Sequence, residues 1–130
     1  MGTTKEYKNF ILEQLNLLDD ITCRPMMGEY LLYYKKTLFG GIYDDRLLVK
    51  IVDNNKKYNM AKEIPYDTAK PMYLVDAVDD KEILKEIVLD TYKEIKKEWM
   101  INKYLSAILI KFALLKGELL ESKKFKIRCW

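Results

Sequence analysis

Residues 24–50, RPMMGEYLLYYKKTLFGGIYDDRLLVK, decide the fold class of this chain. The stretch alternates runs rich in aromatic and branched residues, which favour strands, with short polar connections. Strands are predicted at residues 29–34, 37–43 and 46–52, preceded by a short strand at 21–26. Two-residue turns at Lys35-Lys36 and Asp44-Asp45 are too short for parallel crossovers. We therefore predict an antiparallel meander, with a bulge or a close backbone approach at Gly40-Gly41.

Helical patterns flank this run of strands on both sides. Thr3 and Glu6 have the spacing of a capping box, and apolar residues then recur at helical spacing over about residues 4–18. Asp79 and Glu82 repeat that spacing before a second amphipathic helix. Between them we predict one or two helical turns within 53–62 and a fifth strand at 72–75. The predicted class is α+β: a two-layer antiparallel sheet of about five strands covered by two helices, plus a C-terminal helical extension.

The composition indicates a globular protein and limits its chemistry. The 130 residues are 49% hydrophobic and 33% charged, and none is histidine. Histidine is the commonest general base and metal ligand, so its absence argues against most hydrolytic and metal-dependent mechanisms. Cys23 and Cys129 form no C-x-x-C pair. The sequence predicts no catalytic, cofactor-binding or metal-binding residue, and a reducing cytoplasm is the expected location.

Charge is distributed unevenly along the chain. Residues 1–100 carry 16 Lys and Arg against 18 Asp and Glu, a balance of −2, whereas residues 101–130 carry 7 against 2, a balance of +5. An acidic body argues against direct nucleic-acid binding, although the end of the chain is basic through Lys123, Lys124, Lys126 and Arg128. No signal-peptide core and no run long enough to span a membrane is expected.

Several segments resemble one known family. They are Arg24-Pro25-Met26-Met27-Gly28-Glu29-Tyr30, Leu38-Phe39-Gly40-Gly41-Ile42-Tyr43, Asp44-Asp45-Arg46-Leu47-Leu48-Val49-Lys50, Pro65-Tyr66 and Ala69-Lys70-Pro71-Met72. Together they resemble the N-terminal domain of the TfoX/Sxy family over roughly Lys5 to Lys97. The resemblance implies a small α+β domain with an antiparallel sheet backed by helices.

The same resemblance carries expectations about function. Longer family members look like positive regulators of competence genes that act with a transcription factor rather than as enzymes, and they carry a separate helical C-terminal domain. Residues 98–130 lack the Gly-containing helix-turn segment of that second domain. We therefore divide the chain into a TfoX N-terminal-like domain at 1–97 and a helical extension with a basic tail at 98–130, as in a stand-alone short member.

One candidate interaction face comes from the predicted strands. Its residues are Arg24, Glu29, Tyr30, Tyr43 and Arg46. If Arg24 or Arg46 bound an anionic group, these side chains would form a ligand-binding or enzyme site. The alternative is ordinary cross-strand pairing on a half-exposed sheet, which we favour because no base or nucleophile completes a site. A deep pocket holding both arginines would favour the ligand site, and a flat face would favour protein contacts.

Cysteine and aspartate positions have structural explanations. Cys23 shares a strand face with Ile21, so we predict a buried structural thiol rather than a reactive one. The pairs Asp19-Asp20, Asp44-Asp45 and Asp79-Asp80 fall at predicted turns and caps, where aspartate is favoured without any metal ion.

The helical extension holds a candidate oligomer interface. Apolar residues from Ile101 to Leu119 alternate spacings of four and three, as in the heptads of a coiled coil. Three alternatives are open: packing on the chain's own domain, pairing with a second copy, or lying on a membrane surface. We predict that residues 98–120 are helical and form a homo-oligomer, most simply a dimer. The buried positions are predicted to be Leu105, Ile108, Phe112 and Leu115.

These expectations give two hypotheses about function. The first is a non-enzymatic protein-interaction module, linked to competence or transcription through an unknown protein partner. The second is a small ligand-binding domain or enzyme that uses the sheet face of Arg24, the tyrosines and Arg46.

Overall fold

A computed structural model describes the backbone of residues 2–117 and the side chains of residues 2–113. The chain divides into two compact units between Lys96 and Lys97. The elements, in chain order, are α1 (Lys5–Gln14), β1 (Ile21–Met26), β2 (Glu29–Tyr34), β3 (Thr37–Ile42), β4 (Leu47–Val49), a 3-10 helix (Asp53–Tyr58), β5 (Ala61–Glu63), β6 (Met72–Leu74) and α2 (Lys81–Gly117). The first unit is α+β, as predicted.

The strands form one antiparallel sheet in the order β1-β2-β3-β4-β6-β5. The predicted meander through β2, β3 and β4 is confirmed. Each of the first three hairpins turns on two residues with positive φ, as type I′ turns require: Met27-Gly28, Lys35-Lys36 and Asp44-Asp45. The backbone of such turns matches the twist of the strands. Only one of the six residues is glycine, so the other five adopt a positive φ that is unfavourable for residues with a Cβ.

The sheet has six strands rather than about five. Ala61 and Lys62 were predicted within the segment of helical turns, but residues 61–63 form edge strand β5 beside β6. Ala, Lys and Glu are poor strand formers, and pairing with β6 overrides that propensity. The predicted helical turns begin correctly at Asp53 and form the 3-10 helix.

Both helix caps lie one residue later than predicted. The N-cap of α1 is Thr4, whose hydroxyl accepts a hydrogen bond from the backbone N–H of Tyr7 at 3.1 Å. The first turn of α2 is capped by Asp80, whose carboxylate accepts from two backbone N–H groups. Helix α1 is also shorter than predicted and ends at Gln14.

The core lies between the inner face of the sheet and the two helices. Fully or almost fully buried side chains include Ile11 of α1, Leu15 directly after it, Leu84 and Val88 of α2, and Leu32 of the sheet. Among the described residues, no buried side-chain nitrogen or oxygen lacks a hydrogen-bond partner. The predicted arrangement of two helices over one sheet face is confirmed.

The Gly40-Gly41 pair shapes the centre of the sheet. The register between β2 and β3 shifts beside Leu32, which leaves Phe39 as an extra residue, so the predicted bulge is present. A Cβ on Gly41 would lie 2.7 Å from the ring of Tyr43 and 2.7 Å from the carbonyl oxygen of Tyr30. Gly41 therefore lets the Tyr43 ring lie directly on the outer face of the sheet.

Candidate functional site

Residues 97–113 of α2 expose a large amount of apolar surface. We define the apolar stripe as Ile101, Tyr104, Leu105, Ile108, Leu109 and Phe112. At 100° per residue, these positions fall on one side of the helix. Each of these side chains is between 42% and 67% exposed. Because monomeric proteins rarely leave so much contiguous apolar surface in water, this stripe is the first candidate site.

The predicted oligomer interface coincides with this stripe. Leu105, Ile108 and Phe112 belong to it, and the helix continues through them as predicted. The side chain of Leu115 lies outside the described residues, although its backbone is helical. The oligomeric state itself stays a prediction.

The five residues of the predicted interaction face occupy different environments. Arg24 is exposed on β1, opposite Leu31 of β2. Tyr30 packs against the core on the inner side of the sheet, with the Lys8 Nζ 5.3 Å from its ring centroid. Tyr43 lies on the outer side and is only 6% exposed. Arg24 and Tyr30 are therefore not brought together, and the predicted interaction face stays untested as a binding surface.

Glu29 is hydrogen-bonded to other groups of the protein rather than open to a ligand. Its carboxylate accepts hydrogen bonds from the Thr3 hydroxyl at 2.8 Å and from the Asp44 backbone N–H at 2.9 Å. Asp45 in the same turn accepts from the backbone N–H of Thr4 at 2.9 Å. These contacts join the start of α1 to the β3–β4 turn, which accounts for Glu29 and the acidic pair without a bound ion.

Arg46 fastens the segment after β5 to the sheet. Its Nη1 donates to Glu63 Oε1 at 2.9 Å, and its Nη2 donates to the carbonyl oxygens of Ile64 and Pro65 at 3.3 and 3.4 Å. Its Nε donates to the carbonyl oxygen of Tyr43 at 3.1 Å. The guanidinium is thus committed to the protein's own groups rather than presented to a ligand.

A cleft lies on the outer face of the sheet beside the segment that Arg46 holds. We call it the sheet cleft; its volume is about 670 Å³. It is lined by Leu38, Gly40, Tyr43, Lys50, Ile51, Pro65, Tyr66, Ala69, Lys70, Pro71 and Met72. Neither Arg24 nor Arg46 lines it, so it differs from the pocket of two arginines that would have marked the second hypothesis.

The other residues singled out in the sequence have local explanations. Cys23 packs against the core, and burial raises the pKa of its thiol, while the nearby Lys8 acts weakly in the opposite direction. Cys129 lies outside the described residues. No three aspartate, glutamate or cysteine side chains within the described part of the chain gather as a metal site. No helix among those residues is long and apolar enough to cross a membrane.

The architecture is that of a small α+β domain in which an antiparallel sheet is backed by helices. The TfoX N-terminal domain family matches residues 13–95, well over half of the chain. This chain belongs to that family.

One relative also aligns with much of the domain. It is described as an uncharacterised 12.7 kDa protein in the trpE 5′ region of Spirochaeta aurantia. It is 31% identical over 80 residues, which are 60% of this chain and 70% of that protein. The likeness supports a shared fold and names no activity.

Proposed function

We propose that this chain is a non-enzymatic protein-interaction domain of the cytoplasm that works as a homodimer. The apolar stripe of α2 would form the dimer interface. The observation that carries this proposal is the exposure of the stripe, whose least exposed member, Ile108, is still 42% exposed.

The energetic argument rests on burial. Fully burying one such side chain is worth about 1.5–3 kcal/mol relative to leaving it in water. Four members of the stripe, Ile101, Leu105, Ile108 and Phe112, also follow one another at spacings of four, three and four, which suits a seam between two helices. A second copy of the chain presents the same stripe, so a two-fold dimer would cover both stripes with one self-complementary contact.

A membrane surface is the main competing occupant of the stripe. Lys103, Lys111 and Lys116 are the only charged residues between positions 99 and 117, and basic amphipathic helices bind anionic headgroups. We favour the second copy because of the heptad spacing. Sedimentation with anionic vesicles separates the two: the homodimer predicts that the chain stays in the supernatant.

The regulatory part of the proposal follows from family membership. Because the longer relatives that this domain resembles are linked to competence genes, we propose that the partner is a transcription regulator. Direct contact with nucleic acid is not favoured, since residues 1–100 have a charge balance of −2. An enzyme site built on Arg24 and Arg46 is not favoured either, because Arg46 is engaged by Glu63 and two carbonyl oxygens.

Two lysine substitutions test the dimer. Ile108 and Ile110 are 42% and 45% exposed but lie roughly 200° apart around the helix, so only Ile108 belongs to the stripe. By light scattering, Ile108→Lys should halve the mass per particle, while Ile110→Lys should leave it at the mass of two chains. Equal behaviour of the two variants would contradict the proposed interface.

A further inference from the structure

The sheet cleft has a wall that is held in place without a ligand. Arg46 fixes the carbonyl oxygens of Ile64 and Pro65, and Pro65 itself is buried. The following residues form a turn in which the Ala69 N–H donates to the Tyr66 carbonyl oxygen at 3.1 Å. Small-molecule sites are usually largely preformed and measure about 300–1,000 Å³, a range that includes this cleft.

Two tyrosines give the cleft an aromatic surface. The rings of Tyr43 and Tyr66 lie 6.2 Å apart at an angle of 50°. Tyr43 is almost fully buried, whereas Tyr66 is 57% exposed. One aromatic ring is therefore anchored on the sheet, and the other is more than half exposed within the lining, so a planar apolar group has an accessible aromatic ring to stack on.

The charge of the lining is entirely positive. Lys50 and Lys70 are its only charged side chains, and neither forms an ion pair with any described residue. Burial raises the pKa of Tyr43, so its phenol stays protonated and remains a hydrogen-bond donor near neutral pH. Two ammonium groups and a phenol beside apolar walls complement an anion attached to an apolar body.

We infer that the sheet cleft binds a small anionic molecule with an aromatic or apolar ring. The ring lies against Tyr66, and the anionic group, a carboxylate, phosphate or sulfonate, faces Lys50 and Lys70. The lining of this site shares no residue with the apolar stripe.

A pair of dyes that differ in charge provides the test. Anilinonaphthalene sulfonate has an aromatic body with an anionic group, and N-phenylnaphthylamine has a similar body without one. Both are titrated into the full chain, and the affinity at the cleft is taken from the amide NMR shifts of Ile51, Tyr66 and Met72. Following these amides separates binding at the cleft from dye bound to the apolar stripe.

The expected result depends on the two lysines. The double variant Lys50→Gln/Lys70→Gln should weaken sulfonate binding about ten-fold and change binding of the neutral dye less than about two-fold. Lys62→Gln/Lys93→Gln removes the same charge from exposed positions outside the cleft and should leave both affinities unchanged. Tyr66→Ala should weaken both dyes, because it removes the stacking surface.

Three results would overturn the inference. The first is that neither dye shifts the amides of Ile51, Tyr66 and Met72. The second is that the shifts map only to residues outside the cleft. The third is that the cleft variant and its charge-matched control respond alike to the sulfonate dye.

Discussion

Leu32 and Leu105 are residues of the same type that lie in opposite environments in two regions of this chain. Leu32 is fully buried between the sheet and the helices, whereas Leu105 is 50% exposed on α2. The first unit, residues 2–96 of the described chain, covers its apolar face with its own elements, and every described buried polar side-chain atom is hydrogen-bonded. The apolar stripe has the composition of a core without that cover. The difference shows that one region buries its apolar side chains while the other leaves them exposed, and we propose that the exposed region associates with a second copy.

Substitution of these two leucines should give the largest contrast. Leu32→Ala should lower the free energy of unfolding by about 2–5 kcal/mol, because it leaves a cavity in the core. Leu105→Ala should change it by less than about 0.5 kcal/mol under dilute, monomeric conditions. Urea denaturation followed by circular dichroism measures both. Similar losses at the two positions would break the distinction between the regions.

Two neighbouring asparagines, one buried and one exposed, allow a similar comparison within the first unit. Asn55 is fully buried; its Nδ2 donates to the Lys50 carbonyl oxygen and to the Thr91 hydroxyl, each at 2.8 Å, and its Oδ1 accepts from the Val52 N–H at 3.1 Å. Asn55→Ala leaves these groups unpaired and should cost about 1–3 kcal/mol.

The neighbouring residue provides the control for this change. Asn54 is exposed, and its one described hydrogen bond, to the Asp90 carbonyl oxygen, is long at 3.5 Å. Asn54→Ala should cost less than about 0.5 kcal/mol in the same urea titration. If Asn54→Ala proved as costly as Asn55→Ala, the buried network would not be what holds the 3-10 helix.

A smaller effect is expected at high pH. Burial, followed by the hydrogen bond to Asp90, raises the pKa of Tyr58 above its ordinary value of 10.0. The unfolded chain therefore loses this proton first, so stability is fully present below pH 10 and falls as the pH rises further. Tyr58→Phe should make the decline above pH 10 shallower, as measured by thermal unfolding. An unchanged slope would show that other tyrosines dominate the decline.

The fold was largely predictable because its signals are local. The turns at Lys35-Lys36 and Asp44-Asp45 and the amphipathic pattern of α2 are short-range features. Strand β5 was missed because it exists only through pairing with β6. The role of Asn55 was missed for a similar reason, since its partner Thr91 is distant in sequence.

The candidate sites were predictable only in part. The spacing of Leu105, Ile108 and Phe112 identified the stripe, but spacing alone left open what would cover it. The sheet cleft depends on tertiary contacts that no local pattern encodes, above all the hydrogen bond from the Arg46 guanidinium to the Pro65 carbonyl oxygen. The resemblance had singled out the segments 65–66 and 69–72, and both contribute to the lining of the cleft.

The central claim is that residues beyond Lys97 associate while the first unit folds alone. Light scattering at tens of micromolar, on the full chain and on a version ending at Lys97, tests it most directly, with circular dichroism to check that the shorter version is folded. We predict the mass of two chains for the full protein and of one chain for the shortened version. A full chain with the mass of one chain, or a shortened version that keeps the mass of two, would contradict the claim.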